Sequence, residues 1–150
     1  MKLSTKTLKN YLLKETFLFI LGGIVYYLIE ILVRGYSHWS MFCLGGLCFI
    51  IIGILNEFYN WRMLFQYQCL LGSIIITVLE FITGVITNLI LGWNVWDYSA
   101  KPFNLLGQIC LENSFYWVLL SGVAIVVDDY IRYLIFNEDK PHYIFSNKGD

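Results

Sequence analysis

The sequence predicts an all-α integral membrane protein, a polytopic bundle of four transmembrane helices forming one domain over residues 1–150. Three observations carry that prediction. Hydrophobic residues make up 58% of the chain and charged residues 14%, where soluble domains carry about 25% charged residues. Apolar runs recur along the chain, each near the length that crosses a hydrocarbon core about 30 Å thick. The loops between them are rich in Trp and Tyr, which favour membrane–water boundaries.

Composition also excludes. A net charge of -1 argues against nucleic acid as a partner. There is no GxxxxGK[ST] phosphate loop, and four spans in 150 residues leave no room for an ATPase or kinase module. Cys43, Cys48, Cys69 and Cys110 show no CxxC spacing and no histidine neighbours, so they read as thiols serving as small apolar residues. His38 and His142 lie far apart in sequence. Neither a metal cluster nor a cofactor is expected.

Taken in order, residues 1–15 carry Lys2, Lys6, Lys9 and Lys14 and predict a short amphipathic helix on the membrane surface. The apolar segment after it is too long for a signal peptide and lacks a small-residue cleavage site, so it is expected to remain as an anchor. The first span is placed at 17–33, with Glu30 near its far end. A short turn leads to the second span, 41–56, where Gly45, Gly46 and Gly53 offer a close approach to another helix. The third span, 64–91, exceeds the bilayer core and must tilt, bend or project, with Gly72 and Gly84 as candidate bends. Next, the apolar residues 105–111 are interrupted by Glu112, Asn113 and Ser114 before an apolar run resumes from Phe115 to Val127. Two arrangements stay open: one helix over 105–127 with a polar band, or a short re-entrant segment before the fourth span. A cytoplasmic tail, 128–150, is expected to turn along the interface to residue 136 and to fray beyond it.

Basic residues set the orientation. Lys2, Lys6, Lys9, Lys14, Arg62, Arg132, Lys140 and Lys148 fall on one side, and Arg34 and Lys101 on the other. Both termini are therefore expected on the cytoplasmic side of the cell membrane.

The third span carries the main functional candidate. Glu80 lies near its middle, flanked at helical spacing by Ser73, Thr77, Gly84 and Asn88, so one polar stripe runs along an apolar rod. Ionisable groups within a membrane commonly mark ion or substrate paths. Glu80, Glu30, Thr77 and Asn88 are thus the candidate substrate- or ion-binding residues. For Glu30 an ordinary i,i+4 pair with Arg34 is the simpler reading. For Glu80 two roles stay open, an ion site and a helix-packing hydrogen bond to Thr, Asn or Trp. The loop that follows is dense in Trp96, Asp97, Tyr98 and Asn104 and, with Gln108, reads as a folded outer-loop motif with Trp93 and Trp96 as interfacial anchors.

An internal echo links Leu21–Glu30 (LGGIVYYLIE) with Leu71–Glu80 (LGSIIITVLE), and more weakly 44–49 with 106–111. It suggests a parallel repeat of two helical hairpins, bringing two carboxylates to one cleft.

Glu30 followed by Arg34-Gly35, the run Leu79–Gly84 (LEFITG), and above all Trp96–Ser99 and Pro102–Leu111 resemble the bacterial membrane proteins labelled "putative ABC-transporter type IV". Residues 36–40 depart from the Gly-Pro and Pro-Ile-Tyr-Gly segment common there. The resemblance implies a permease-like transport or channel component of unknown substrate. The alternative is a structural or regulatory membrane subunit, or a holin-like oligomerising protein. An enzyme is not expected, because Glu80, Asp97 and Glu112 are accompanied by no nucleophile, histidine or metal motif. Membrane lipid is the expected surrounding. Four helices are few for enclosing a path, so a homo-oligomer or another membrane subunit is expected too.

Overall fold

The computed structural model describes residues 5–59 and 61–146; Lys2, Asn60 and residues 147–150, Lys148 among them, lie outside the described residues. The chain divides into two compact units, Met1–Ile50 and Ile51–Asp150.

In the first unit, α1 (Thr5–Arg34) runs unbroken through the stretch expected to form a separate surface helix. Residues 8–20 contain neither Gly nor Pro and are mainly good helix formers, so nothing stops the helix there. It ends where Gly35 takes φ +81° and donates its amide to Ile31 O at 2.8 Å, a left-handed cap that glycine adopts without a Cβ penalty. The second helix, α2 (Trp39–Gly53), begins in this unit. It packs on α1 with almost no clearance: a Cβ on Gly22 would strike Phe49, one on Gly45 would strike Tyr26, and one on Gly46 would meet the backbone of Phe19. Gly45 and Gly46, expected to let another helix approach closely, do so in packing α2 against α1.

The second unit holds the last turn of α2, the short α3 (Leu55–Tyr59), and α4 (Phe65–Gly84), which continues into a π-helical turn (Val85–Ile90). After a loop come β1 (Asn104–Leu105), its antiparallel partner β2 (Ile109–Cys110), and α5 (Leu111–Phe136). Gly53, the third glycine expected at a helix contact, abuts the Asp128 carboxylate. The α4–α5 contact is likewise built on small residues. Ser121 Oγ donates to Cys69 O at 2.8 Å, and a Cβ on Gly72 would meet the Ser121 side chain.

Among the described residues, three stretches are long and apolar enough to cross a membrane, Leu8–Arg34, Trp39–Phe58 and Phe65–Ile90. Their solvent pattern is inverted relative to a soluble helix. Along α4 and its π-helical end, Leu70, Ile74, Val78, Ile82 and Ile86 face outward, while Ser73, Glu80, Thr87 and Asn88 are buried. Such a helix is stable only where its surroundings are apolar. The chain is a membrane protein whose outer faces meet lipid.

Two expectations fail downstream of α4. Residues 105–110, read as a membrane helix or re-entrant segment, instead form a small hairpin that turns through Leu106 (φ 53°) and Gly107 (φ 69°), with Gln108 N bonded to Leu105 O at 3.0 Å. This also separates the weaker echo, since 44–49 is helical and 106–111 is mostly hairpin. Residues 128–136, expected to turn along the interface, continue α5. Their charges are matched: Arg132 donates to Asp128 Oδ2 at 2.5 Å one turn away and to Glu57 Oε1 at 2.6 Å. Asn137, φ 56°, then caps the helix in the left-handed region.

The tail expected to fray folds back as far as it is described, to residue 146. Phe65 N donates to Ile144 O at 2.8 Å, Gln66 Nε2 to Phe145 O at 3.1 Å, and Tyr143 Oη to Asp129 Oδ2 at 2.9 Å. Asp129, beyond the apolar run that ends at Val127, also accepts from Asn56 Nδ2 at 2.6 Å. Burial pushes its carboxyl up to about 6, against the opposing pull of these hydrogen bonds and of Arg132. Burial, reinforced by the adjacent carboxylate, also raises the Tyr143 hydroxyl.

Candidate functional site around Glu80

The polar stripe read along the third span becomes a connected network in the second unit. Glu80 is 1% exposed. Its Oε1 accepts from Tyr98 Oη of the loop at 3.1 Å, and its Oε2 accepts from Trp117 Nε1 of α5 at 2.9 Å. One carboxylate therefore ties three segments together. A turn earlier on α4, Thr77 Oγ1 donates to Ser114 Oγ at 3.2 Å and Ser73 Oγ to Ser114 O at 2.7 Å.

Toward the loop, the π-helical turn closes with Leu91 N on Ile86 O at 2.9 Å, a five-residue step, and Trp93 N reaches back to Thr87 O at 2.8 Å. It carries the buried Asn88, whose side chain bonds both ways: Oδ1 accepts from Val95 N at 2.6 Å and Nδ2 donates to Gln108 Oε1 at 2.8 Å. Trp96 is buried, with Nε1 donating to Gln108 O at 2.9 Å, so it is a peg holding the loop on α4 and not an interfacial anchor. Trp93, by contrast, is exposed. Gly84 leaves the room for this packing. A Cβ there would lie 2.6 Å from Gln108 Oε1 and 2.9 Å from Trp96 Cζ2.

The remaining motif residues shape the loop itself. Asp97 accepts from Ser99 N at 2.8 Å and from Ser99 Oγ at 2.9 Å, an Asx-type turn. Asn104 donates to Lys101 O at 2.7 Å and accepts from Gly107 N at 3.0 Å, while Tyr98 N donates to Gly107 O at 2.7 Å. At the loop's outer side, Lys101 Nζ lies 3.0 Å from Glu112 Oε2, and this hydrogen bond holds the ammonium above the usual lysine range.

Glu80, Thr77, Asn88, Trp96, Asp97, Tyr98, Asn104 and Gln108 thus all lie in one unit and in one network. Glu30 belongs to the first unit, where Arg34 Nη1 and Ser37 Oγ each donate to it at 3.0 Å. Two residues were missed from sequence, Trp117 and Ser114. Their signal was present in the spacing of Ser114, Trp117, Ser121 and Asp128, which marks one face of α5.

A family model described as "Putative ABC-transporter type IV" matches residues 4–144. The chain belongs to this family. The match spans the buried carboxylate, the folded loop and the tail as far as Ile144, so the whole network lies within the family's extent. No curated protein and no solved structure matches the chain.

Proposed function

We propose that this member of the putative ABC-transporter type IV family is the membrane-embedded component of a transport system, in which Glu80 links a bound proton or cation to the position of the outer loop. The observation that carries the reading is the split of the two Glu80 oxygens between Tyr98 of the loop and Trp117 of α5. Hydrogen bonds to an ionised acceptor are about twice as strong as neutral ones. Protonation of Glu80, or its capture by a cation, therefore weakens both links together and loosens the loop from the helix pair.

In this reading the part of α5 that ends at Val127 is the fourth span, since residues 113–127 carry no charge, and residues 128–136 continue the helix beyond the membrane. The excess of Lys and Arg near the two chain ends and in the 57–62 loop puts both termini on the cytoplasmic side of the cell membrane and the Trp96–Tyr98 loop on the other. A homo-oligomer or a second membrane subunit completes the path. The echo of Glu30 and Glu80 at a spacing of 50 residues fits a repeat of two hairpins.

The test is flux into liposomes loaded with a pH-sensitive dye, under an imposed potential. Wild-type protein should carry protons above the background of empty liposomes, and Glu80→Gln should fall to that background. Equal flux in the two proteins would remove Glu80 from the mechanism. A second reading, a structural or regulatory subunit, is favoured by the way Asn88 and Gln108 satisfy each other and the loop backbone. Under it, wild-type flux equals background and changes at Trp96 or Asp97 abolish co-purification of another membrane protein.

A further inference from the structure

Within the second unit, α5 runs antiparallel to α4 in a steady register. Ser121 sits against Cys69 and Gly72, Ser114 against Ser73 and Thr77, and Gln108 of the hairpin against Gly84. That register sets Leu111, where α5 begins, close to the level of Glu80, and the hairpin turn beyond it at the level of Gly84. The loop therefore doubles back along the last part of α4, a stretch that belongs to the span Phe65–Ile90. The charge-free run 113–127 of α5 rises only about 22 Å. A hydrocarbon core is about 30 Å thick, so α5 alone leaves the leaflet on the loop's side partly unfilled.

The side chains of the hairpin match that gap. Phe103, Leu105 and Leu106 point outward, 81%, 51% and 64% exposed. Phe103 and Leu106 do so from a backbone held at φ 53°, a left-handed conformation that bulky residues rarely adopt. Leu111, whose amide donates to Phe103 O at 3.3 Å, and Phe115 carry the same apolar surface onto α5.

The backbone supplies a second, independent observation. Every carbonyl from Leu105 to Gln108 has a donor from within the loop. Leu105 O accepts from Gln108 N at 3.0 Å, Leu106 O from Gln108 Nε2 at 2.9 Å, Gly107 O from Tyr98 N at 2.7 Å, and Gln108 O from Trp96 Nε1 at 2.9 Å. Asn104 Nδ2 likewise serves Lys101 O at 2.7 Å and Ser99 O at 3.2 Å. Water would satisfy such groups unaided. Hydrocarbon offers no partner, so irregular backbone at membrane depth has to be satisfied by the protein itself. The charges nearby are managed too: Lys101 and Glu112 pair at 3.0 Å, and Asp97 lies beside Gly107 at the turn, the end of the hairpin farthest from α5.

We propose that the β1–β2 hairpin is a lipid-inserted wedge, with Phe103, Leu105 and Leu106 packed among the acyl chains of the leaflet on the loop's side. It completes with a hairpin the span that α5 leaves short. The inference rests on the reading of α5 as the fourth span.

Spin labels on the full chain in phosphatidylcholine vesicles test it. Cys43→Ser removes the exposed native thiol, and Cys48, Cys69 and Cys110 are buried. In that background, labels are placed one at a time through Phe103→Cys, Leu106→Cys, Leu119→Cys on the outer face of α5, and Asp139→Cys in the exposed tail. Collision with oxygen, which concentrates in hydrocarbon, should exceed collision with a water-soluble nickel chelate severalfold at 103, 106 and 119, and the order should reverse at 139. Two hairpin positions keep one perturbed side chain from deciding the result. Nickel exceeding oxygen at 103 and 106, with 119 still in lipid, would overturn the wedge and leave the fourth span standing. Nickel exceeding oxygen at 119 as well would overturn both. Shielding of 103 and 106 from both reagents would mean that protein covers the hairpin, which also overturns the proposal.

Discussion

Trp117 Nε1 donates to Glu80 Oε2 over 2.9 Å, joining α5 to the middle of α4 through an acid that is 1% exposed. Indole is a donor without an acceptor function, so Glu80 supplies the acceptor in this bond, and the bond is stronger while the carboxylate is ionised. Trp117→Phe keeps most of the ring packing and deprives Glu80 of that bond. The expected cost is about 1–3 kcal/mol, seen as a lower melting temperature in detergent. An unchanged melting temperature would mean that the contact contributes nothing to the helix pair.

Gly84 gives a sharper test of loop docking, because propensity and packing oppose each other there. Its φ of -62° is helical, so alanine should stabilise the helix by about 1 kcal/mol on propensity alone. The added Cβ, however, would lie 2.6 Å from Gln108 Oε1 and 2.9 Å from Trp96 Cζ2. Gly84→Ala is therefore expected to destabilise the protein by about 1–3 kcal/mol and to shift tryptophan emission toward the red as Trp96 gains solvent. A stabilised variant would show that the loop does not rest on α4.

Asp129 links stability to pH. Its folded carboxyl titrates near 6 instead of the usual 3.8, with burial as the leading cause. Between those values the folded chain holds a proton that the unfolded chain has released, so this group's contribution is full below about pH 4 and is lost as pH rises through about 6. The size is at most about 3 kcal/mol. Asp129→Asn should remove that slope, and the difference between the melting curves of the two proteins from pH 4 to 7 isolates it from the neighbouring Glu57, Asp128, Glu138, Arg132 and Tyr143. A difference independent of pH would contradict the assignment.

The apolar runs were readable because lipid demands continuous hydrophobicity, and the helices α1, α2 and α4 with its π-helical end appear close to where hydropathy puts them. The stripe of Ser73, Thr77, Glu80, Gly84 and Asn88 was readable for a related reason, since few polar residues sit in a span by accident. Its partners were not. Tyr98 and Trp117 lie 18 and 37 positions from Glu80, and no local pattern names a tertiary donor. The hairpin at 104–110 was hidden because Leu105, Leu106, Ile109 and Cys110 resemble a membrane segment, and a leucine at φ 53° is no turn signal. The extension of α5 past Val127 was hidden by its charges. They look like a tail in sequence and become tolerable in a helix only through Arg132's pairs to Asp128 and Glu57.

The central claim is that the charge on Glu80 holds the loop to the helix pair, and amide hydrogen exchange over residues 93–110 measures it directly. Glu80→Gln keeps the shape of the side chain and removes its charge. The expected result is at least a tenfold rise in exchange at Val95, Tyr98 and Gln108, with the α1 amides unchanged. Tenfold corresponds to about 1.4 kcal/mol of lost local stability. Equal protection of the loop in Glu80→Gln and wild type would contradict the claim and leave Asn88, Gln108 and Trp96 as the groups that hold it.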